Sequence, residues 1–274
     1  MNFSHRYRVE PGVRVRLDRI DPDDTGRVKN KDEGRERAER HLERLADLHY
    51  RLYAENRRSV LIVLQGMDAA GKDGVIRHVL AGLNPQACRV ASFKVPTEEE
   101  LGHDFLWRIH KAVPRRGEIG VFNRSHYEEV LVVRVKGLVP ASVWSARYEQ
   151  INAFEHMLVD SGTTILKFFI HISPAEQRTR LLARLADPQR NWKFSAADIE
   201  VRQQWDAYQR AYEDALTKCS TPWAPWYIIP GNHKWLRNLA VSDILVAHLE
   251  AMDLRFPKPM GNIAELERQL RRGK

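Results

Sequence analysis

The sequence predicts an α/β domain with a central, mostly parallel sheet between two helical layers, and a helical lid. Three observations lead there. Five short strand-like runs, Val60–Gln65, Arg89–Lys94, Glu118–Phe122, Thr163–His171 and Trp226–Ile229, alternate with stretches of helical period, as in parallel sheets covered on both faces. The first run ends in a glycine-bent loop that leads straight into a helix. Its 274 residues, 43% of them hydrophobic, suit one such domain with additions.

Residues 1–30 mix Arg, Asp, Pro and Gly without a period and read as an extended arm, turning at Asp21-Pro22-Asp23-Asp24. From Lys31 to Asn56 the pattern becomes a charged helix, with Ala38, Leu42, Leu45, Leu48 and Leu52 three or four apart on one face. The rest of the chain is organised around the stretch Ser59–Gly74. Val60–Gln65 is a buried strand, and Gly66, four residues, Gly71 and Lys72 give the spacing G-x-x-x-x-G-K. Small residues there let successive amides curl around a phosphate, which the lysine neutralises. Lys72–Leu83, with Val75, Ile76, Val79 and Leu80 at helical spacing, adds a helix N-terminus to the same place. Gly66, Ala69, Ala70, Gly71, Lys72 and Asp73 are therefore candidate phosphate contacts. Asp73 stands where ordinary loops of this kind place a Ser or Thr hydroxyl on Mg²⁺. Asp68 either supplies a hard oxygen in its stead or caps the helix.

Beyond the second strand, Thr97-Glu98-Glu99-Glu100 reads as the capped first turn of a helix that continues through Ile109. Pro114-Arg115-Arg116-Gly117 is a turn, and the third strand delivers Asn123-Arg124-Ser125-His126-Tyr127-Glu128-Glu129 at its carboxyl end, where ligands lie in open α/β sheets. Further helices are expected at Ala141–Ser161, Pro174–Ala186, Ala196–Lys218 and Trp235–Met252. Arg178, Arg180, Arg184, Arg190 and Lys193 face only Asp187, and Asp187-Pro188 breaks the helix into a loop. P-loop kinases put a lid at this point. Guanidinium groups on it stabilise charge on a moving phosphoryl group and exclude water, whereas the plain alternative is a solvated basic loop. The expected organisation is an arm at 1–30, a P-loop kinase-like three-layer α/β/α domain at 31–257 with its lid at about 178–200, and a basic tail at 258–274 that is either loose or an oligomer contact.

A net charge of +8 and a pI near 9.6 point to polyanionic partners, without choosing among nucleic acid, an acidic membrane and phosphates. Cys88 and Cys219 form no C-x-x-C pair, and no apolar run approaches membrane-spanning length. A soluble cytoplasmic protein is the expectation. There is no zinc-finger spacing and no RNP-like motif, so nucleic acid is not expected as a partner, nor is a membrane.

Three blocks resemble the polyphosphate kinase 2 family, P-loop phosphotransferases that use inorganic polyphosphate and nucleoside phosphates. They are Gly66–Gly74, Phe122–Glu128 and the lid segment Arg184–Phe194, and the resemblance extends over about residues 5–257. It implies that Asp68 organises Mg²⁺, with Mn²⁺ as an alternative, that Lys72 and Arg124 hold phosphates, and that Arg180, Arg184, Arg190 and Lys193 close over the nucleotide. Many members carry Asp where this chain has Asn123, which offers only a neutral oxygen. Asn123 followed by Arg124–Glu128 looks like the subgroup that phosphorylates both AMP and ADP, in which Glu128 and Glu129 complete the metal or nucleotide shell. Candidates to line a polyphosphate channel are Arg77, Arg115, Arg116, Arg134 and Lys136, with unliganded surface charge as the alternative for each; Lys94, Asp104 and Arg108 are candidates for the nucleotide side, with helix-surface pairing as theirs. The resemblance implies reversible transfer from polyphosphate to AMP or ADP, in a homotetramer. An ATP-dependent nucleoside monophosphate kinase is the rival reading.

Overall fold

The computed structural model of the protein describes residues 3–272, so Lys274 of the predicted tail lies outside the described residues. In chain order the elements are α1 (Phe3–Tyr7), α2 (Lys31–Glu55), β1 (Ser59–Gln65), α3 (Lys72–Val79), β2 (Cys88–Ser92), α4 (Glu98–Leu101), α5 (Trp107–His110), β3 (Ile119–Asn123), α6 (Val132–Val135), α7 (Ala141–Asp160), β4 (Thr163–His171), α8 (Pro174–Ala186), α9 (Ala196–Gln203), α10 (Trp205–Cys219), β5 (Trp226–Pro230), α11 (Lys234–Ala251) and α12 (Ile263–Arg272). The strands pair in the order β2-β3-β1-β4-β5, every pairing parallel.

Strand β1 is buried at every residue, and its side chains separate by the twofold period of a strand. Val60, Ile62 and Leu64 join α2, α3 and α11 in one apolar layer, while Leu61 and Val63 join α7 and α10 in the other. Each such fully buried aliphatic side chain stabilises the fold by roughly 1.5–3 kcal/mol. From β1 the chain crosses to the edge at β2, returns at β3 beside β1, then takes β4 on β1's far side. That reversal opens a crevice beyond the carboxyl ends of β1, β3 and β4, into which the Gly66–Gly71 loop and the segment after Asn123 are delivered.

Three elements differ from the sequence reading. The helix expected from Thr97 through Ile109 is two short ones, because the Asp104 carboxylate accepts from Leu106 N at 2.9 Å and starts a new turn after Gly102. The helix expected over Ala196–Lys218 breaks at Gln204. The supposed arm is built into the core: Phe3, Tyr7, Val9, Val15 and Leu17 are buried, and Val9 N donates to Trp226 O at 2.8 Å. Among the described residues no helix is long and apolar enough to cross a membrane.

Candidate active site

The loop after β1 is held from behind by α8. Gln177 donates to Asp68 O at 3.0 Å, and the Arg180 guanidinium donates to Ala69 O at 3.1 Å, Ala70 O at 2.7 Å, Gly231 O at 2.6 Å and Asn232 O at 3.0 Å. Arg180 is thus a half-buried clamp on the loop, paired with Glu176, with four backbone carbonyls converging on its fork, and it borders the groove that Arg184, Arg190 and Lys193 also line. With those carbonyls tied back, the first amides of α3, which have no intrahelical acceptor, are left for an anion. Ala69 at φ 63° and Arg124 at φ 62° both sit in the left-handed region, strain of the kind that collects at functional sites.

Lys72 is buried at the turn, its ammonium donating to Gly66 O at 2.6 Å and Met67 O at 3.3 Å. Burial, and then the charge of Arg124, pushes it down to about 8. A bound anion favours the protonated form. Affinity for tripolyphosphate should therefore be level below pH 8 and weaken by about tenfold from pH 7 to pH 9, a flat titration profile being the contrary result.

Opposite Lys72, Arg124 donates to Asp68 Oδ1 at 2.8 Å and approaches Glu128 Oε2 at 4.0 Å. Burial pushes the Glu128 carboxyl up, against the pull of Arg124 and Lys72. On the other side of the loop, Asp73 accepts from Asn123 Nδ2 at 3.0 Å and from Lys193 at 3.4 Å. Burial would raise the Asp73 carboxyl, yet these two donors keep it below the usual carboxylate range. The Lys193 contact brings the loop after α8 onto α3, and between them runs a groove of about 590 Å³ lined by Arg77, Arg184, Arg190 and Lys234 among others. Asp68, Asp73, Lys72, Arg77, Asn123, Arg124, Glu128 and the lid cations thus share one region. Within it Arg184 lies 3.8 Å from Asp198, and Arg190 is largely exposed beside Asp187 at 3.1 Å.

Other expected contacts lie elsewhere. Arg134 pairs with Asp214, donates to Tyr148 and lies over Trp144, tying α6 to α7 and α10, and it is not among the residues lining the groove beside α3. Lys136 is an exposed residue at the end of α6. Arg115 and Arg116 precede the amino end of β3, the edge of the sheet opposite the loop. Glu129 is engaged by Arg147 and is not among the residues lining the small hollow that Asp68 and Glu128 border. On the β2 side, Arg108 donates to Lys94 O at 2.9 Å and to Glu100 at 3.3 Å and lies over Phe93, and Asp104 accepts from Leu106 N, so both side chains are engaged within their own loop. Lys94 keeps an exposed side chain beyond β2.

Sequence reading missed a buried ionic cluster beneath the segment after β3. Lys167, fully buried in β4, donates to Glu155 Oε2, Tyr127 Oη and Cys219 O, while His126 and Tyr127 both donate to Glu155 Oε1. With Glu155 held below the usual carboxylate range against the effect of its burial, Lys167 and His126 fix the backbone between Arg124 and Glu128. The signal was a lone lysine inside the apolar run Thr163–His171.

Among the described residues no three His, Cys, Asp or Glu side chains gather as a metal cluster. Asp68 and Glu128 nonetheless border one hollow of about 30 Å³ with a cation, Arg124, beside both. Two carboxylates are hard oxygen donors of the kind a divalent metal such as Mg²⁺ would take, and the residues present fit it.

A parallel sheet in this order, with the glycine loop at the carboxyl end of its central strand and a basic lid, defines a P-loop kinase-like phosphotransferase. The family model described as Polyphosphate kinase 2 matches residues 28–257. A relative from Meiothermus ruber, named AMP/ADP-polyphosphate phosphotransferase, is 55% identical over 93% of this chain and 96% of its own. Another from Rhodopseudomonas palustris, named ADP-polyphosphate phosphotransferase, is 47% identical over 93% and 92%. A crystal structure of polyphosphate kinase 2 from Arthrobacter aurescens TC1 superposes with a TM-score of 0.96 at 40% identity, covering 100% of this chain and 98% of that one. The chain belongs to the polyphosphate kinase 2 family.

Proposed function

We propose that the chain transfers the terminal phosphoryl group of inorganic polyphosphate, reversibly, to AMP and to ADP, giving ADP and ATP. The observation that carries this reading is the similarity, over nearly the whole chain, to a relative named for both acceptors. Around it the chemistry is consistent. A flexible polyanion offers no base to read, so it is held by distributed cations and amides, which is what the groove beside α3 supplies.

In the reaction Lys72 and the loop amides hold the donor phosphate, and Arg124 stabilises charge on the group in transit. Asp68 and Glu128 would hold Mg²⁺, with Mn²⁺ as an alternative, which when bound would supply charge neutralisation for the phosphates. The attacking phosphate oxygen of AMP or ADP is already anionic, so no general base is required. His126, sealed against Glu155, positions its segment and takes no proton from substrate. Arg184, Arg190 and Lys193 close the groove against water, which would otherwise compete as acceptor. The reading places the protein in the cytoplasm as a homotetramer.

The test is a product assay with purified protein, Mg²⁺, polyphosphate and AMP, without ATP. ADP followed by ATP is the expected result. Product formed only when ATP replaces polyphosphate would overturn the reading in favour of a nucleoside monophosphate kinase.

A further inference from the structure

Arg237, in the first turn of α11, is 3% exposed and carries a charge that no acid answers. Its Nε and Nη2 donate to Asn238 Oδ1 at 3.1 and 2.8 Å; among the described residues nothing accepts from Nη1 and no carboxylate pairs with it. The guanidinium lies against the phosphate loop. A Cβ at Gly71 would fall 2.0 Å from Nη1, and one at Gly74 would fall 2.7 Å from Nη2, so both positions admit only glycine while Arg237 stays in place. Its charged neighbours are themselves cations: Arg180, whose Nη1 is 3.7 Å from the same point at Gly71, and Lys234 one turn earlier on α11. Burial and Arg180 lower Arg237 to about 10, and burial with both arginines lowers Lys234. Glu176, the acid that bears on Lys234, is engaged by Arg180.

An unpaired buried cation is costly, and a neutral side chain of the same length would fill the space behind the loop without that cost. We propose that Arg237 is a positioning residue for the phosphate donor: it sets a standing positive charge behind the Gly71–Gly74 turn, and the counter-charge it lacks is the phosphate chain in the groove. The proposal rests on the polyphosphate reading. It acts through the loop and the field at the groove, so it bears on the donor and not on the nucleotide.

Two variants separate this from a packing role. Arg237→Met keeps the stem and removes the charge; Arg237→Lys keeps the charge. Melting temperature is measured with and without tripolyphosphate, and KM is measured separately for polyphosphate and ADP. Arg237→Met should melt no lower than the parent, lose at least half of the tripolyphosphate-induced rise, and raise KM for polyphosphate by about tenfold with KM for ADP unchanged. Arg237→Lys should recover most of the rise. A lower melting temperature with an unchanged polyphosphate KM overturns the proposal, as does an equal rise in both KM values. If Arg237→Met does not fold, loss of the tripolyphosphate response in a folded Arg237→Lys also overturns it. A parent protein with no response to tripolyphosphate overturns the polyphosphate reading as well, whereas a normal response in both parent and Arg237→Met overturns this proposal alone.

Discussion

Lys72→Ala should lower the rate of transfer from polyphosphate by roughly 10²–10³-fold at saturating nucleotide, the size of effect seen when one preorganised charge donor is removed from a reacting centre. The ammonium is buried against Gly66 O and Met67 O, a position that a lysine elsewhere on the chain does not reach. Lys72→Arg should recover little, because a planar fork does not fit a cavity shaped around a single nitrogen between two carbonyls. The fold itself should survive, since losing a cation whose burial already lowers its pKa relieves desolvation. A coupled assay for ADP and ATP reads the rate, and circular dichroism confirms the fold. Activity within threefold of the parent would contradict the role assigned to Lys72.

Lys167→Met should be the most damaging single change to stability, costing about 3–5 kcal/mol in urea unfolding, because it strands Glu155 as an uncompensated buried charge. Both members of the pair are fully buried, and Glu155 also serves His126 and Tyr127. The companion double variant Lys167→Met with Glu155→Leu should recover much of that loss, since two apolar groups leave no orphaned ion. Activity should recover less than stability, because His126 and Tyr127, which set the backbone from Arg124 to Glu128, lose their acceptor. A loss below about 1 kcal/mol for Lys167→Met would show that water or rearrangement replaces the lost partner.

The parallel sheet and the phosphate loop were legible because each is written in local pattern. The spacing from Gly66 to Lys72 and the apolar run of β1 fix strand, turn and helix within sixteen residues. What was not legible depends on contacts made far along the chain. Arg180 and Arg134 look alike in sequence, yet one meets the carbonyls of a loop more than a hundred residues earlier and the other meets Asp214 on α10. Charge counting cannot tell a clamp from a channel residue. Arg115 and Arg116 were misplaced for a simpler reason: they precede β3, and a residue before a strand lies at the opposite edge of a parallel sheet from one after it. The same rule, applied strictly, would have excluded them. The arm at residues 1–30 escaped because Phe3, Val9 and Leu17 are scattered without a period, and their burial comes from docking on β5 and the outer helices. Arg237 was hidden inside a helix whose other inward residues, Ser242 apart, are apolar, where an isolated arginine is easily taken for a surface position.

The central claim is that the glycine-bent loop and Lys72 grip the phosphate chain itself. Calorimetric titration of tripolyphosphate into the nucleotide-free protein tests it without turnover. The account predicts saturable binding to the parent protein that weakens steeply with added salt and is lost in Lys72→Ala; equal affinity in the two proteins would contradict it.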